Sequence, residues 1–166
     1  PSYLHIAEFL QELPNRPPVC AFTATATKRG RQDIIRLLGL QDPFVLVSGF
    51  DRPNLRFFVR EPTDKTAALL AELAQRTEQS GIVYCLTRKL VDDVYGVLRR
   101  RGLRAARYHA GLDAQTRKQA QNDFLYDKVP ILVATNAFGM GIDKPNVSFV
   151  IHYNMPTDLE SYYQEA

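Results

Sequence analysis

The chain has 166 residues, of which 45% are hydrophobic and 23% are charged, and its formal net charge is +3. This balance is typical of a globular protein and excludes the low hydrophobicity of disordered chains. No apolar run approaches the roughly 18 residues that a membrane-spanning helix requires, so we expect no membrane partner. The mild excess of basic residues permits an anionic partner without demanding one.

The first 48 residues predict two helices and two short strands. Apolar residues recur at helical spacing over residues 4–13, and a second helix is predicted over 27–38, with Gly39 as its C-cap. The apolar runs at 19–22 and 44–47 are typical of strands buried on both faces of a sheet. Turn residues at 48–54 then predict a junction between domains.

From residue 63 onwards, predicted helices and strands alternate regularly. Helices are predicted at 63–79, 87–101, 113–126 and 158–166, and strands at 81–85, 104–108, 129–134 and 147–153. Asp113 is a suitable N-cap for the third of these helices. Such alternation predicts an α/β fold with right-handed crossovers, a parallel sheet and helices on both of its faces.

Polar loops follow the predicted strands, at 23–27, 86–89, 109–112, 135–143 and 154–156. In an open parallel sheet, ligands bind at the carboxyl ends of the strands. Hydroxyl groups, amides and free N–H groups at helix N-termini attract phosphate there. Each loop also has a purely structural interpretation, and phosphate-binding enzymes of many kinds share the pattern.

Five segments narrow this choice: AFTATAT at 21–27, FDRPNL at 50–55, YHAGL at 108–112, ATNAFGMGIDKPNV at 134–147 and SYYQEA at 161–166. In order and spacing they closely resemble the RecQ family of superfamily 2 DNA helicases. The resemblance covers essentially the whole chain. Its most specific part is the run from Ala137 to Pro145.

The resemblance implies two RecA-like lobes of the P-loop NTPase type. Residues 1–48 would be the C-terminal part of the first lobe, 49–62 the linker between lobes, and 63–166 most of the second lobe. The implied activity is ATP-dependent 3′-to-5′ translocation on single-stranded DNA, with duplex unwinding in DNA repair and recombination. The implied partners are single-stranded and tailed duplex DNA, in the bacterial cytoplasm at the nucleoid or in a eukaryotic nucleus.

ATP and Mg²⁺ are the implied cofactors of the whole protein, and a zinc-binding segment is possible downstream. The phosphate-binding pattern G-x-x-x-x-G-K-[ST] does not occur in this sequence. We expect the acidic Mg²⁺-binding segment just before Pro1 and the arginine fingers just after Ala166. The chain by itself is therefore expected to bind no cofactor and to hydrolyse no ATP. We also expect exposed first-lobe sheet edges to favour self-association.

The resemblance also implies roles on the nucleotide side. Thr23 and Thr25 match the segment that couples the nucleotide site to DNA movement, and Gln164 matches the start of a motif near the γ-phosphate. Gly141 and Asp143 match positions facing the ATP ribose. The structural alternatives are hydroxyls that satisfy a strand end, a glycine needed for backbone geometry, and a turn in which Asp143 is braced by Lys144.

Six further residues match loops that face the DNA: Thr87, Arg88, His109, Gly111, Thr135 and Asn136. Each has a structural alternative, such as a solvated Arg88, a structural His109 or a Thr135 that only caps a helix. Two other functions also stay open. A superfamily 2 RNA helicase usually has Arg where this chain has Met140, and a non-catalytic binding module would keep the loops without the motor.

Overall fold

The computed structural model describes residues 5–23, 26–47, 52–139 and 142–166. The chain divides into two compact units, Pro1–Val59 and Arg60–Ala166. Within the described ranges, no helix is both long enough and apolar enough to cross a membrane.

The first unit contains the helices α1 (Ile6–Glu12) and α2 (Lys28–Leu37). The hydroxyl of Thr27 caps the N-terminus of α2 by accepting the Gly30 N–H. At the other end Gly39 has φ +56°, the left-handed conformation that commonly terminates a helix. Arg16 donates to the carbonyls of Leu38 and Gly39, each at 2.9 Å, so that end of α2 is held by a side chain distant in sequence.

The strands predicted at 19–22 and 44–47 are wrong. Both runs lack strand pairing in the described part of the chain, and the side chains of Phe22 and Phe44 are 93% and 90% exposed. A strand exists only when its N–H and C=O groups pair with a neighbour, and an apolar run cannot by itself supply that neighbour.

The second unit confirms the predicted alternation. Its elements are α3 (Lys65–Ala74), β1 (Ser80–Tyr84), α4 (Arg88–Arg100), β2 (Ala105–Tyr108), α5 (Ala114–Leu125), β3 (Ile131–Ala134), β4 (Val147–His152) and α6 (Leu159–Glu165). The predicted helix at 63–79 is too long, because the chain leaves α3 at its C-cap, Gln75, and turns towards β1.

Side chains cap the helices of this unit at their N-termini. Asp64, Thr87, Asp113 and Asp158 each accept a backbone N–H from the first turn of α3, α4, α5 and α6 respectively. The predicted N-cap at Asp113 is confirmed, with its Oδ1 2.8 Å from the Thr116 nitrogen. These caps fix where each helix begins, directly after the loop that leads into it.

The four strands form one parallel sheet in the order β2-β3-β1-β4. Alternate residues of the central strands point to opposite faces. Val83 and Val133 enter a core with α3 and α4, whereas Tyr84 and Leu132 enter a second core with Phe124 of α5. The predicted α/β class, with a parallel sheet and helices on both faces, is confirmed.

Candidate nucleic-acid interface

The loops after β1, β2 and β3 meet at the carboxyl edge of the sheet. Tyr84 and Tyr108, the last residues of β1 and β2, both pair in register with Ala134, the last residue of β3. The ladder continues one step further, with the Thr135 N–H donating to the Tyr108 carbonyl at 3.2 Å. The register therefore brings together the starts of the three loops that carry the six residues matched to DNA-facing positions.

The β1 loop leads directly into α4. Thr87 is the N-cap of α4, and its hydroxyl accepts the Leu90 N–H at 3.2 Å. Arg88 begins the helix with an exposed side chain and forms no ion pair within the described part of the chain. The dipole of α4 attracts anions at this end of the helix and does not stabilise the cation of Arg88. A phosphate at this position would be attracted both by the Arg88 guanidinium and by the free amides of α4.

The β2 loop is organised by a buried histidine. His109 is 5% exposed. Its Nδ1 accepts the Gly111 N–H at 3.2 Å, and its Nε2 lies 3.2 Å from Oδ1 of Asp92 on α4. Both ring nitrogens are thus occupied, which favours the structural alternative for His109 over direct contact with DNA.

Gly111 lies against the side chain of Arg88. A Cβ added at Gly111 would be 3.2 Å from Cδ of Arg88 and 3.1 Å from Nδ1 of His109, closer than side chains ordinarily pack. A side chain at this position would therefore require Arg88 or His109 to shift by a few tenths of an ångström.

The β3 loop contributes one buried and one exposed residue. Thr135 is 8% exposed, and its carbonyl accepts the Phe138 N–H at 3.0 Å, so it starts a turn rather than a helix. Asn136 is exposed and lines a small cavity of about 40 Å³ together with Glu165. Of the two residues, Asn136 is the one whose side chain faces solvent.

Residues 135–146, called the crossing segment below, include Phe138, which packs on one face of the sheet, and Lys144, a buried cation whose carboxylate partner is exposed. Phe138 packs edge-on against Phe124 and Tyr108. Lys144 then lies with Nζ 5.1 Å from the Phe124 ring centroid and 2.6 Å from Oδ1 of Asp127. The ion-pair partner of Lys144 is therefore Asp127.

The two residues predicted to face the ATP ribose, Gly141 and Asp143, belong to this crossing segment. Asp143 is exposed, and the cation next to it, Lys144, pairs elsewhere, so the idea that Lys144 braces Asp143 is not supported. Gly141 lies outside the described residues. The nucleotide roles of both residues stay predictions.

Gln164 lies next to the same segment. Its side chain is exposed, and its carbonyl oxygen is 3.9 Å from a Cβ added at Gly139, which has φ +130°. The following residue, Glu165, has Oε2 3.1 Å from Nε2 of His152, without hydrogen-bond geometry. Burial raises the pKa of Glu165 and lowers the pKa of His152, so burial favours the neutral form of each group.

The coupling segment belongs to the first unit. The hydroxyl of Thr23 accepts the Ala26 N–H at 3.2 Å, within a loop rather than at the end of a strand. Thr25 lies outside the described residues. The coupling roles of both stay predictions.

Sequence reasoning missed Asp92 and Asp127, the carboxylates that organise the loops. The sequence signal for Asp92 is faint, since it is one of two adjacent aspartates within a predicted helix. Asp127 occupies a left-handed position with φ +58°, which is visible only in the structure. Across the described ranges, no group of three or more His, Cys, Asp or Glu side chains is placed to hold a metal ion.

Comparison with known proteins agrees with this geometry. The model of the helicase conserved C-terminal domain matches residues 64–166. ATP-dependent DNA helicase RecQ of Bacillus subtilis is 44% identical over the whole chain, which spans 28% of that protein. ATP-dependent helicase wrn-1 of Caenorhabditis elegans is 47% identical over 99% of the chain, which spans 16% of that protein.

Solved structures support the fold. Saccharomyces cerevisiae Dbp5 bound to RNA and ADP BeF3 superposes with a TM-score of 0.82 at 24% identity, covering 96% of this chain and 43% of Dbp5. The C-terminal domain of the DEAD-box protein Dbp5 gives a TM-score of 0.56 at 30% identity, covering 63% of this chain and 61% of that domain. The sheet with its helices is thus a RecA-like helicase lobe. This chain belongs to the helicase conserved C-terminal domain family and, within superfamily 2, to the RecQ helicases.

Proposed function

We propose that this chain is part of an ATP-dependent DNA helicase of the RecQ type, and that its second unit binds the backbone of a single strand. The chain spans about a quarter of the RecQ relative from Bacillus subtilis. The 3′-to-5′ polarity, the coupling to ATP and the role in repair and recombination belong to the proposal for the longer protein. The observation that carries the proposal is the exposed Arg88 beside Gly111, at the edge where three polar loops begin; among the described residues Arg88 has no ion-pair partner.

The carboxyl edge would hold phosphates through three kinds of group. Arg88 offers a guanidinium, the first turn of α4 offers backbone N–H groups, and Asn136 offers a side-chain amide. Guanidinium groups bind phosphate by two parallel hydrogen bonds, and amides at a helix N-terminus add to that attraction. Contacts of this kind position a strand without reading its bases, so binding should be independent of sequence.

The nucleotide would be held only in part by this chain. Gln164 and Asp143 are exposed and can offer an amide and a carboxylate to the phosphate and ribose ends of ATP. Hydrolysis of ATP in the longer protein would supply the free energy for strand movement, with Thr23 and Thr25 in the coupling segment. Its phosphates and Mg²⁺ would be held mainly by other segments of the longer protein.

The test is the salt dependence of binding to a fluorescent oligo-dT, followed by anisotropy. Each phosphate contact contributes about 0.7 to the slope of log K against log salt for a single strand. We expect Arg88→Ala to lower the slope by about that amount and the affinity about fivefold, since such a contact contributes roughly 1 kcal/mol. Arg99→Ala is the matched control, because it removes the same charge at the far end of α4, about 17 Å away.

Two outcomes would contradict the proposal. Binding of the wild-type chain that does not change with salt would exclude phosphate contacts. Equal losses in Arg88→Ala and Arg99→Ala would show that net charge, rather than the carboxyl edge, attracts the strand.

A further inference from the structure

The β2 loop depends on a carboxylate in the middle of α4. Oδ1 of Asp92 pairs with the guanidinium of Arg107 and lies 3.2 Å from Nε2 of His109. Because Nδ1 of His109 accepts the Gly111 N–H, the neutral ring must carry its proton on Nε2, where Asp92 is its hydrogen-bond partner among the described residues. Asp92 thus selects the tautomer that the Gly111 hydrogen bond requires.

The contacts continue from the loop to the proposed phosphate-binding side chain. The hydrogen bond from Gly111 holds the loop backbone at the Nδ1 edge of the His109 ring, and the same glycine lies against the aliphatic part of Arg88. The Leu112 N–H donates to the His109 carbonyl at 3.1 Å and closes the turn. Asp92, His109 and Gly111 therefore form a continuous support for the side chain of Arg88.

We infer that Asp92 is a positioning residue for the nucleic-acid interface. It acts through His109 on the loop that supports Arg88, and it touches no nucleic acid itself. The inference rests on the proposed function for its effect on binding, whereas its effect on His109 and Gly111 is independent of any ligand.

The charge of Asp92 allows a clear test, because two explanations of its role predict opposite changes in affinity for a single strand. Asp92 follows Arg88 by four residues on α4, where a carboxylate weakens the attraction of Arg88 for an anion. If Asp92 acts only through its charge, Asp92→Ala should tighten binding to a single strand. If Asp92 positions the loop, the same variant should weaken binding.

We expect Asp92→Ala to bind oligo-dT about fivefold more weakly than the wild-type chain, with a smaller salt slope. Asp92→Asn keeps an oxygen that accepts from Nε2 of His109, so it should restore wild-type affinity or exceed it. The matched control is Asp93→Ala, which removes the same charge from the adjacent exposed position and should leave affinity unchanged or slightly raised. Affinity of Asp92→Ala at or above that of Asp93→Ala overturns the inference.

NMR of the same proteins without DNA separates this inference from the proposed function. In the wild-type chain the His109 ring nitrogens should show the Nε2–H tautomer, and the Gly111 amide should be protected from exchange. In Asp92→Ala the tautomer preference should be lost and the Gly111 amide should exchange about tenfold faster. Unchanged His109 and Gly111 signals overturn the positioning role, even if the wild-type chain binds DNA. Absence of DNA binding by the wild-type chain together with changed signals would overturn the proposed function alone.

Discussion

At the amino edge of the second unit's sheet, one carboxylate oxygen of Asp127 accepts hydrogen bonds from Lys144, Asn146 and Ser80. At the carboxyl edge the Arg88 and Asn136 side chains are exposed instead. The larger cavity, about 330 Å³, lies at the amino edge, but polar groups on its wall bond to one another. The proposed interface is therefore distinguished by exposed polar side chains that can bond to a ligand, and not by the volume of a cavity.

The crossing segment from Thr135 to Asn146 links the two edges. It leaves the carboxyl edge at Thr135, packs Phe138 on the sheet, and reaches the amino edge where Lys144 pairs with Asp127. If the edges have separate roles, changes at the amino edge and in this segment's packing should affect stability, and changes at the carboxyl edge should affect binding.

The largest expected effect is on stability, from the ring on which the crossing segment packs. Phe124 is fully buried and contacts both Phe138 and Lys144. We expect Phe124→Ala to lower the free energy of unfolding by about 3–5 kcal/mol, because it leaves a cavity beneath both residues. Urea denaturation measures the free energy of unfolding. The control Tyr126→Ala, at an exposed position one residue beyond α5, should change that free energy by less than about 0.5 kcal/mol. A small effect of Phe124→Ala would show that the segment is not anchored there.

A smaller effect, and one that depends on pH, is expected at Asp127. The hydrogen bond from Lys144, and then that from Asn146, lower the pKa of Asp127. A carboxyl group with a depressed folded-state pKa contributes stability above its unfolded pKa and loses it as the pH falls through the folded value. Wild type should therefore be more stable than Asp127→Asn at neutral pH, and the difference should shrink in acid.

Melting temperatures of both proteins between neutral and acidic pH measure this difference. The acidic N-caps Asp113 and Asp158 also have lowered pKa values, but they are present in both proteins, so their contribution cancels. A difference in melting temperature that stays constant across this pH range would show that the amino edge is not stabilised by the ionised Asp127. Affinity for oligo-dT at neutral pH should be the same in both proteins.

Much of the second unit could be predicted because its signals are local. The helix over Ala114–Leu125 begins after the predicted N-cap Asp113, and the central strands follow from short apolar runs between turn residues. The apolar runs at 19–22 and 44–47 carry the same local signal without forming strands. Strand formation requires a pairing partner, and that information is not contained in the run itself.

The candidate interface was predictable as a set of loops but not as a set of contacts. Parallel alternation alone predicts that the loops after β1, β2 and β3 share an edge. The choice of Asp92 as partner for His109, and of Asp127 as partner for Lys144, depends on tertiary packing across 17 residues in each pair. No local pattern specifies such pairs, and the sequence offers only the neighbouring Asp143 as a possible structural partner for Lys144.

The most direct test of the account is to map the backbone amides that shift when oligo-dT is added to ¹⁵N-labelled protein. We expect shifts at the carboxyl edge, in residues 86–88, 110–112 and 135–137, that weaken as salt is added. We expect little change at Ser80, Asp127 and Asn146. Shifts concentrated at the amino edge, or spread evenly over both edges, would contradict the assignment of the phosphate-binding surface.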